Sequence, residues 1–426
     1  MSKGNPQHAA VPRLRFPEFR DAAGWSQAPL GAALTERGQK SDGVSEVHSV
    51  SLSKGIVPQV EHMGRSFAAS DTSHYNLVRP FDIVYTRSPL AIFKLGIVKQ
   101  HKGENNAIVS PLYGVFEPRN QHLGLIVEAF FESPARSVRY LDPLAQKGAK
   151  NTIQLSNERF LSGSLCLPDD EDEQRKVAEC LGSLDDLIAA EGRKLAALRD
   201  HKQGLMQQLF PREGETQPRL RFPEFRGLWK SKKLRLILVE SRLGGNYENS
   251  EVNEGIPLIK MGNIGRGTIN VSGMQYLPGE SGYGKEDLLN NGDLLFNTRN
   301  TLDLVGKVAI WRNELPKAVY NSNLLRLRFN EELEQTNRFM NYVFNAVATI
   351  KRLRALATGT TSVAAIYDRD LKTLEVSYPA LEEQRAIADC LSALDALIAA
   401  QAAKLDALRT HKRGLIQQLF PSAEDN

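Results

Sequence analysis

Cysteine is nearly absent. Cys166, Cys180 and Cys390 are the only three in 426 residues, and no two stand at CxxC spacing. That excludes a disulfide framework and a cysteine-based zinc site, and leaves buried, reduced thiols. Long apolar runs are missing as well: no stretch reads as the roughly 20 apolar residues that span a bilayer. The opening segment, MSKGNPQHAAVPRLRF, has no apolar centre of the kind a signal peptide needs. Both absences point to the cytoplasm and away from a membrane. Neither charge dominates, since 54 Lys and Arg meet 50 Asp and Glu for a net +4. Such a weakly basic balance permits nucleic acid binding without requiring it.

Motifs of catalysis are also lacking. Gly279 to Lys285 (GESGYGK) fits the first seven positions of a phosphate-binding loop. The eighth is Glu286 rather than the Ser or Thr that magnesium needs, and no buried strand leads into it. Gly262 to Gly267 (GNIGRG) has the wrong glycine spacing for a dinucleotide fingerprint. The eight histidines form no HExxH or comparable ligand set. The chain reads as one without a catalytic site, metal or cofactor of its own.

What is present is a duplication. Pro12 to Arg20 (PRLRFPEFR) recurs letter for letter as Pro218 to Arg226. A second block, from Glu173 to Pro211, recurs from Glu383 to Pro421 with about two-thirds of its positions identical. The order is therefore box, variable region, helix, twice over.

In the repeated block apolar residues fall alternately four and three apart: Val177, Leu181, Leu184, Ile188, Leu195, Leu198, Leu205 and Leu209. Ile387, Leu391, Leu394, Ile398, Leu405, Leu408, Leu415 and Leu419 repeat the pattern. This is the period of a coiled-coil seam. The acidic run Asp169 to Glu173 suits a helix N-terminus, and Pro211 and Pro421 end both helices. Some 37 residues at about 1.5 Å each make a rod about 55 Å long. Two such rods in one chain can pair antiparallel without a second copy. Glu191 and Gln401 break the seam near its middle, where a polar pair can fix register, or else both reach solvent. Lys202 and Lys412 fall on the seam nearer its ends and are expected to snorkel to water.

The variable regions, residues 21 to 168 and 227 to 379, alternate short β-rich runs with Gly, Pro and Asn breaks. FDIVYT, LGIV and NAIVS in the first are answered by IPLIKM, GDLLFNTR, VGKVAIW and NLLRLRF in the second. Residues 337 to 356 carry helical spacing. Landmarks align although little else does: Trp25 with Trp229, Phe81-Asp82 with Gly292-Asp293, Leu144-Ala145 with Leu356-Ala357, and Pro168 with Pro379. Four segments follow: globular regions at 1–168 and 212–379, and long helices at 169–211 and 380–421. Each globule is a mixed α/β (α+β) fold dominated by strands.

With these features in order, the chain resembles the specificity (S) subunit of type I restriction-modification enzymes along nearly its whole length. The likeness rests on RFPEF followed by Trp25 and again by Trp229, GDLLFNTR at 292–299, LATGTT at 356–361, EQRxIxxxLxxLDxLI from Glu383, and the terminal QQLFP. It implies two target recognition domains separated by two long antiparallel helices, an intramolecular coiled coil with pseudo-twofold repetition. It implies a bipartite, asymmetric double-stranded DNA target and docking of two methyltransferase (M) subunits, with restriction (R) subunits joining through them. S-adenosylmethionine, ATP and magnesium are then used by those partners. The first domain departs from the pattern, because GAKNTIQLSNERF matches the LATGTT segment poorly.

Candidate base readers are polar residues on loops flanked by strands. Asn297, Thr298, Arg299 and Asn300 follow GDLLF, and Thr86, Arg87 and Ser88 hold the equivalent place after FDIVY. Arg can bridge guanine and Asn adenine in the major groove. Lys260, Asn263 and Arg266 can do the same or bind phosphate. Thr358, Thr360 and Thr361, with Lys351 and Arg354 before them, read as a turn that contacts the DNA backbone. Lys147, Lys150 and Asn151 are the corresponding candidates in the first domain. Any one of these can instead be an ordinary solvated loop residue. The alternative to a specificity subunit is a stand-alone sequence-specific DNA-binding regulator.

Overall fold

The computed structural model describes residues 9–65, 68, 70–147, 153–279, 281–329 and 336–421. The chain divides into two compact units. One joins Met1–Arg193 to Ala403–Asn426, and the other is Lys194–Ala402. Each long helix, Glu171–Leu209 and Leu381–Leu419, is therefore shared between the units.

The first unit is built on an antiparallel sheet of Leu34–Glu36, Gly114–Pro118, Ile83–Tyr85 and Val98–Gln100, in that spatial order. The second repeats it with Leu238–Leu243, Leu324–Phe329, Leu294–Asn297 and Val308–Ile310. A smaller sheet also repeats: Glu46–Ser51 runs parallel to Ala107–Val109, as Pro257–Ile259 does to Val319–Tyr320. The β-branched and aromatic runs read as strands are strands: Ile83–Tyr85 and Leu294–Asn297 each lie between two others and bury both faces, and Val308–Ile310 is buried at the end of its sheet.

The aligned landmarks turn out to be equivalent positions. Phe81 N–H donates to His101 O and Gly292 N–H to Trp311 O, both at 2.8 Å. Asp82 accepts the Arg79 N–H and Asp293 the Asn290 N–H, again both at 2.8 Å. The turn needs a left-handed residue, with φ 91° at Gly292 and 70° at Phe81. A bulky side chain there is strained. Phe81→Gly is expected to raise stability by about 1 kcal/mol, seen as a higher urea midpoint at unchanged m-value.

Helical spacing over 337–356 resolves into two helices, Asn337–Asn345 and Val347–Leu356, broken at the extended Ala346. The Asn345 side chain donates to Asn341 O and Val308 O, which fixes the break against the sheet.

Within each unit the two long helices run antiparallel. In the first, Val177, Ala178 and Leu181 pack with Ile416, Leu419 and Phe420. In the second, Leu209 and Phe210 pack with Ile387, Ala388 and Leu391. The expectation that Lys202 and Lys412 snorkel to water is corrected. Lys412 pairs with Asp185 at 2.5 Å and Glu132 at 2.7 Å, and Lys202 pairs with Asp395 at 2.5 Å. The acid of each LDxLI motif faces the lysine of the opposite helix, and an ion pair replaces solvation. Glu191 accepts the Lys404 ammonium across the helices, while Gln401 is buried.

A second correction concerns apolar length. By length and composition alone, Leu381–Leu419 passes the test for a membrane-crossing helix. Runs of alanine lift its hydropathy, yet it carries Asp389, Asp395, Lys404 and Asp406, and Asp395 is held by Lys202.

The repeated boxes now have a structural cause. Arg15 grips Glu173 with two hydrogen bonds of 2.7 Å, and Arg221 grips Glu383 at 2.8 and 2.6 Å. One residue earlier, Leu14 N–H donates to Gln418 O, and Leu220 N–H to Gln208 O. Each box thus fastens the start of one long helix to the end of the other. Gln174 and Gln384, the next residues of the EQR motif, donate to Pro168 O and Pro379 O at the end of each globule.

Candidate nucleic-acid interface

In the second unit the chain after the GDLLFN strand turns outward. Arg299–Asn300 pairs with Ala364–Ala365, which pairs in turn with Thr358–Gly359. The result is a three-stranded ribbon that brings the NTRN and LATGTT segments together. Its two faces differ. Arg299, Ala365 and Thr358 are direct partners and share one face, on which Arg299 and Thr358 are exposed. Ala364, with Asn300 and Gly359, lies on the other face and is buried in the core. Gly359 has φ 114°, and a Cβ there would meet Val363 O at 2.3 Å, so the hairpin requires glycine. Thr360, Thr361, Ser362 and Val363 form the exposed tip.

Two candidates on this segment face inward. Asn297 is fully buried and its Oδ1 accepts the Arg299 N–H, while Thr298 Oγ1 donates to Asn323 O at 2.8 Å. Both hold the ribbon's base and present nothing to a groove.

The turn Thr301–Leu304 leaves the ribbon and returns to it, with Leu302 N–H donating to Thr361 O at 3.0 Å. Arg266 and Arg354 converge on this turn, each donating an Nη2 hydrogen to Asp303 O at 3.3 Å. The structure therefore gathers Arg266, Arg299, Asn300, Arg354, Thr358, Thr360 and Thr361 around one hairpin. Burial, and then the charge of Arg354, push the Arg266 guanidinium below its ordinary pKa. Asp303 is a member that sequence reasoning missed, since nothing in TLDL marks it as more than a loop acid.

Three other candidates lie apart in their bonding. Lys260 donates its ammonium to Gln275, and its N–H donates to Asn263 Oδ1. The Asn263 amide donates to Asn270 O, so Asn263 shapes its own loop. Lys351 pairs with Glu213 at 2.9 Å beyond the last turn of the first long helix.

In the first unit the equivalent segment is more closed. Thr86 is buried, its Oγ1 accepting the Ile97 N–H. Arg87 donates to Leu155 O at 2.6 Å, to Leu112 O and to Asn157, and burial lowers its pKa. It forms part of the wall of a cavity of about 330 Å³ with Glu36, Asn76 and Tyr113. Ser88 alone of the three is exposed. After Leu144-Ala145 a hairpin of Gln146–Lys147 and Ile153–Gln154 stands where the second unit has its TGT strand. Lys147 lies on that hairpin, while Lys150 and Asn151 lie outside the described residues.

Residues 230–410 match the family model of the type I restriction modification DNA specificity domain. Among curated proteins of Methanocaldococcus jannaschii, the MjaX specificity subunit of a type I restriction enzyme is 27% identical over 196 residues, 45% of this chain and 45% of its own length. The type I restriction enzyme MjaVIII specificity subunit is 25% identical over 264 residues, 58% of this chain and 59% of its own length. The matches thus span about half the length of either relative. The crystal structure of the type I restriction-modification system S subunit from M. genitalium superposes with a TM-score of 0.57 at 13% identity. It covers 97% of this chain and 99% of that one, a likeness of fold. The family model and the curated relatives agree with the resemblance carried by the motifs over part of the chain, and the superposition adds likeness of fold alone.

Proposed function

We propose that this chain, with its type I restriction modification DNA specificity domain, is the sequence-reading, non-catalytic subunit of a type I restriction-modification complex. The observation that carries this reading is the exposed ribbon of the second unit. A two-stranded β-ribbon fits the major groove of duplex DNA, and the hairpin of Thr358–Gly359 and Ala364–Ala365 is one. Its outward face offers Arg299, suited to the O6 and N7 of guanine, beside hydroxyls suited to phosphate.

Two copies of one fold with unlike loops read a split, asymmetric target. The first globule (residues 1–168) reads one half and the second (212–379) the other. The helices (169–211 and 380–421) pair as an intramolecular coiled coil that spaces them, related by a pseudo-twofold. Glu191 and Gln401 are the positions at which register is set. In the first globule the reading residues are Ser88, Lys147, Lys150 and Asn151. Lys260, bonded to Gln275, and Lys351, paired with Glu213, stand outside the reading hairpin.

Two methyltransferase subunits dock on the long helices, and restriction subunits join through them. The duplicated exposure of Leu187 and Leu397, 42% and 55% exposed at equivalent places, supports one partner on each repeat. S-adenosylmethionine, ATP and magnesium belong to those partners, and the assembly works on DNA in the cytoplasm.

Co-expression with the methyltransferase encoded beside it tests the reading. A complex of one copy of this chain and two methyltransferase chains is expected, with methylated bases in a two-part motif on mapping by single-molecule sequencing. Removing seven residues from one long helix is expected to change the gap in that motif or to prevent assembly. A chain that stays alone beside its methyltransferase, or an uninterrupted palindromic motif, overturns the proposal and favours a stand-alone regulator.

A further inference from the structure

Arg266 and Arg354 come from distant parts of the second unit, yet both guanidiniums are aimed at the same backbone oxygen, Asp303 O. Two like charges at such close range repel each other unless an anion lies between them. The local supply is small. The Asp303 carboxylate approaches only Arg354, at 3.4 Å, and is itself 87% exposed. Among the described residues, the buried Nη1 of Arg266 has no hydrogen-bond partner. Leaving a guanidinium N–H buried and unmatched is costly unless something arrives to accept it.

The position of the pair is defined. Asp303 sits one residue past Leu302, which is bonded to Thr361 at the ribbon's tip. The Arg266 and Arg354 guanidiniums thus meet at a turn bonded to the ribbon's tip, where Arg354, Thr360 and Thr361 are exposed and the unmatched Arg266 N–H is buried. What fits is a tetrahedral dianionic or monoanionic oxyanion with several acceptor oxygens. A phosphate offers more acceptor oxygens than a carboxylate, and a base edge carries no charge to separate the two guanidiniums.

We infer that Arg266 and Arg354 form a clamp for one backbone phosphate of the DNA, with Asp303 occupying the anion's place until DNA arrives. The inference rests on the DNA-reading proposal above and divides the labour within it. Arg299 and Thr358 face the bases, while Arg266 and Arg354 hold the strand and carry no sequence information. Displacing the Asp303 carboxylate from Arg354 opposes binding to any duplex alike.

The test uses the complex with its methyltransferase subunits and two duplexes of equal length, one with the mapped motif and one unrelated. Binding is measured over a range of salt concentrations. Arg354→Gln and Arg266→Gln are each expected to weaken both duplexes by the same factor, about tenfold, and to lower the slope of log affinity against log salt by about one. The ratio between duplexes should not move. Asp303→Asn should strengthen both duplexes several-fold. Arg354 and Asp303 are exposed, so those two variants decide the matter even if Arg266→Gln does not fold.

A changed ratio at an unchanged slope would make these arginines base readers and overturn the clamp. So would variants that bind both duplexes as the parent does. A parent complex that binds neither duplex overturns the DNA-reading proposal itself, and the clamp with it. A selective parent with indifferent variants overturns the clamp alone.

Discussion

Arg299→Ala is expected to abolish recognition at one position of one half of the DNA target, leaving the other half untouched. The side chain is exposed on the outward face of a ribbon whose backbone is fixed on both sides. Its N–H donates to the buried Asn297, and its strand pairs with Ala364–Ala365. Truncation therefore removes a guanidinium without disturbing the frame. A good bidentate contact to guanine is worth about 1–3 kcal/mol of discrimination, or roughly 5-fold to 150-fold. Mapping methylated bases in cells carrying the variant should show one position relaxed, or the motif lost. A uniform fall in affinity for all DNA would instead assign Arg299 to phosphate.

The second large effect is on stability. Arg15→Ala is expected to destabilise the first unit by about 3–5 kcal/mol, because it strands a buried carboxylate. Glu173 is 1% exposed, and both its oxygens accept from Arg15. The Arg15 side chain also donates to Ala22 O and Ala23 O, so the box itself loosens. The hydrogen bond that Arg15 donates to Glu173, and the negative charge of that carboxylate, raise the Arg15 pKa above its ordinary value. Chemical denaturation followed by fluorescence of Trp25, which lies in the same helix-end cluster, would read the loss. Arg15→Lys should recover only part of it, since an ammonium cannot make the fork. A shift under about 1 kcal/mol would show that the pair contributes no more than a surface contact.

Much of the architecture was legible because it was written twice. The helices declared themselves by 4-3 spacing and by prolines, and strands such as Ile83–Tyr85 and Leu294–Asn297 by β-branched and aromatic runs. The equivalence of Phe81-Asp82 with Gly292-Asp293 survived into matching hydrogen bonds. Long-range pairing was not legible. Lys202 and Lys412 looked like seam defects because their partners, Asp395 and Asp185, are more than 190 residues away in sequence. Polar type also failed to separate readers from supports. Asn297, Thr298 and Thr86 have the chemistry of base contacts, yet their neighbours bury them. Composition says what a side chain can bond, and only the fold says whether it is already bonded.

The comparison of the two units shows how unlike interiors are accommodated. In the first, Lys99 and Glu128 form a buried pair at 3.0 Å between strand and helix. In the second, the equivalent strand position is Ala309, buried in an apolar cluster with Leu295 and Trp311. Both globules also pack apolar helix side chains on the sheet, Leu123, Val127 and Phe131 in the first and Phe339, Val343 and Phe344 in the second, and the Arg–Glu fork at the box is the same in both.

That shared fork has a bearing on ancestry and exchange. The clasp at the root of each globule is built on the same Arg–Glu fork, varied only around it: Arg15 also donates to Ala22 O and Ala23 O, while Trp229 also donates to Glu383. A recombination event that swapped everything between a box and the following helix would leave the Arg–Glu fork of each clasp intact while replacing the loops beyond it. Such a chain can acquire a new word to read without relearning how to fold.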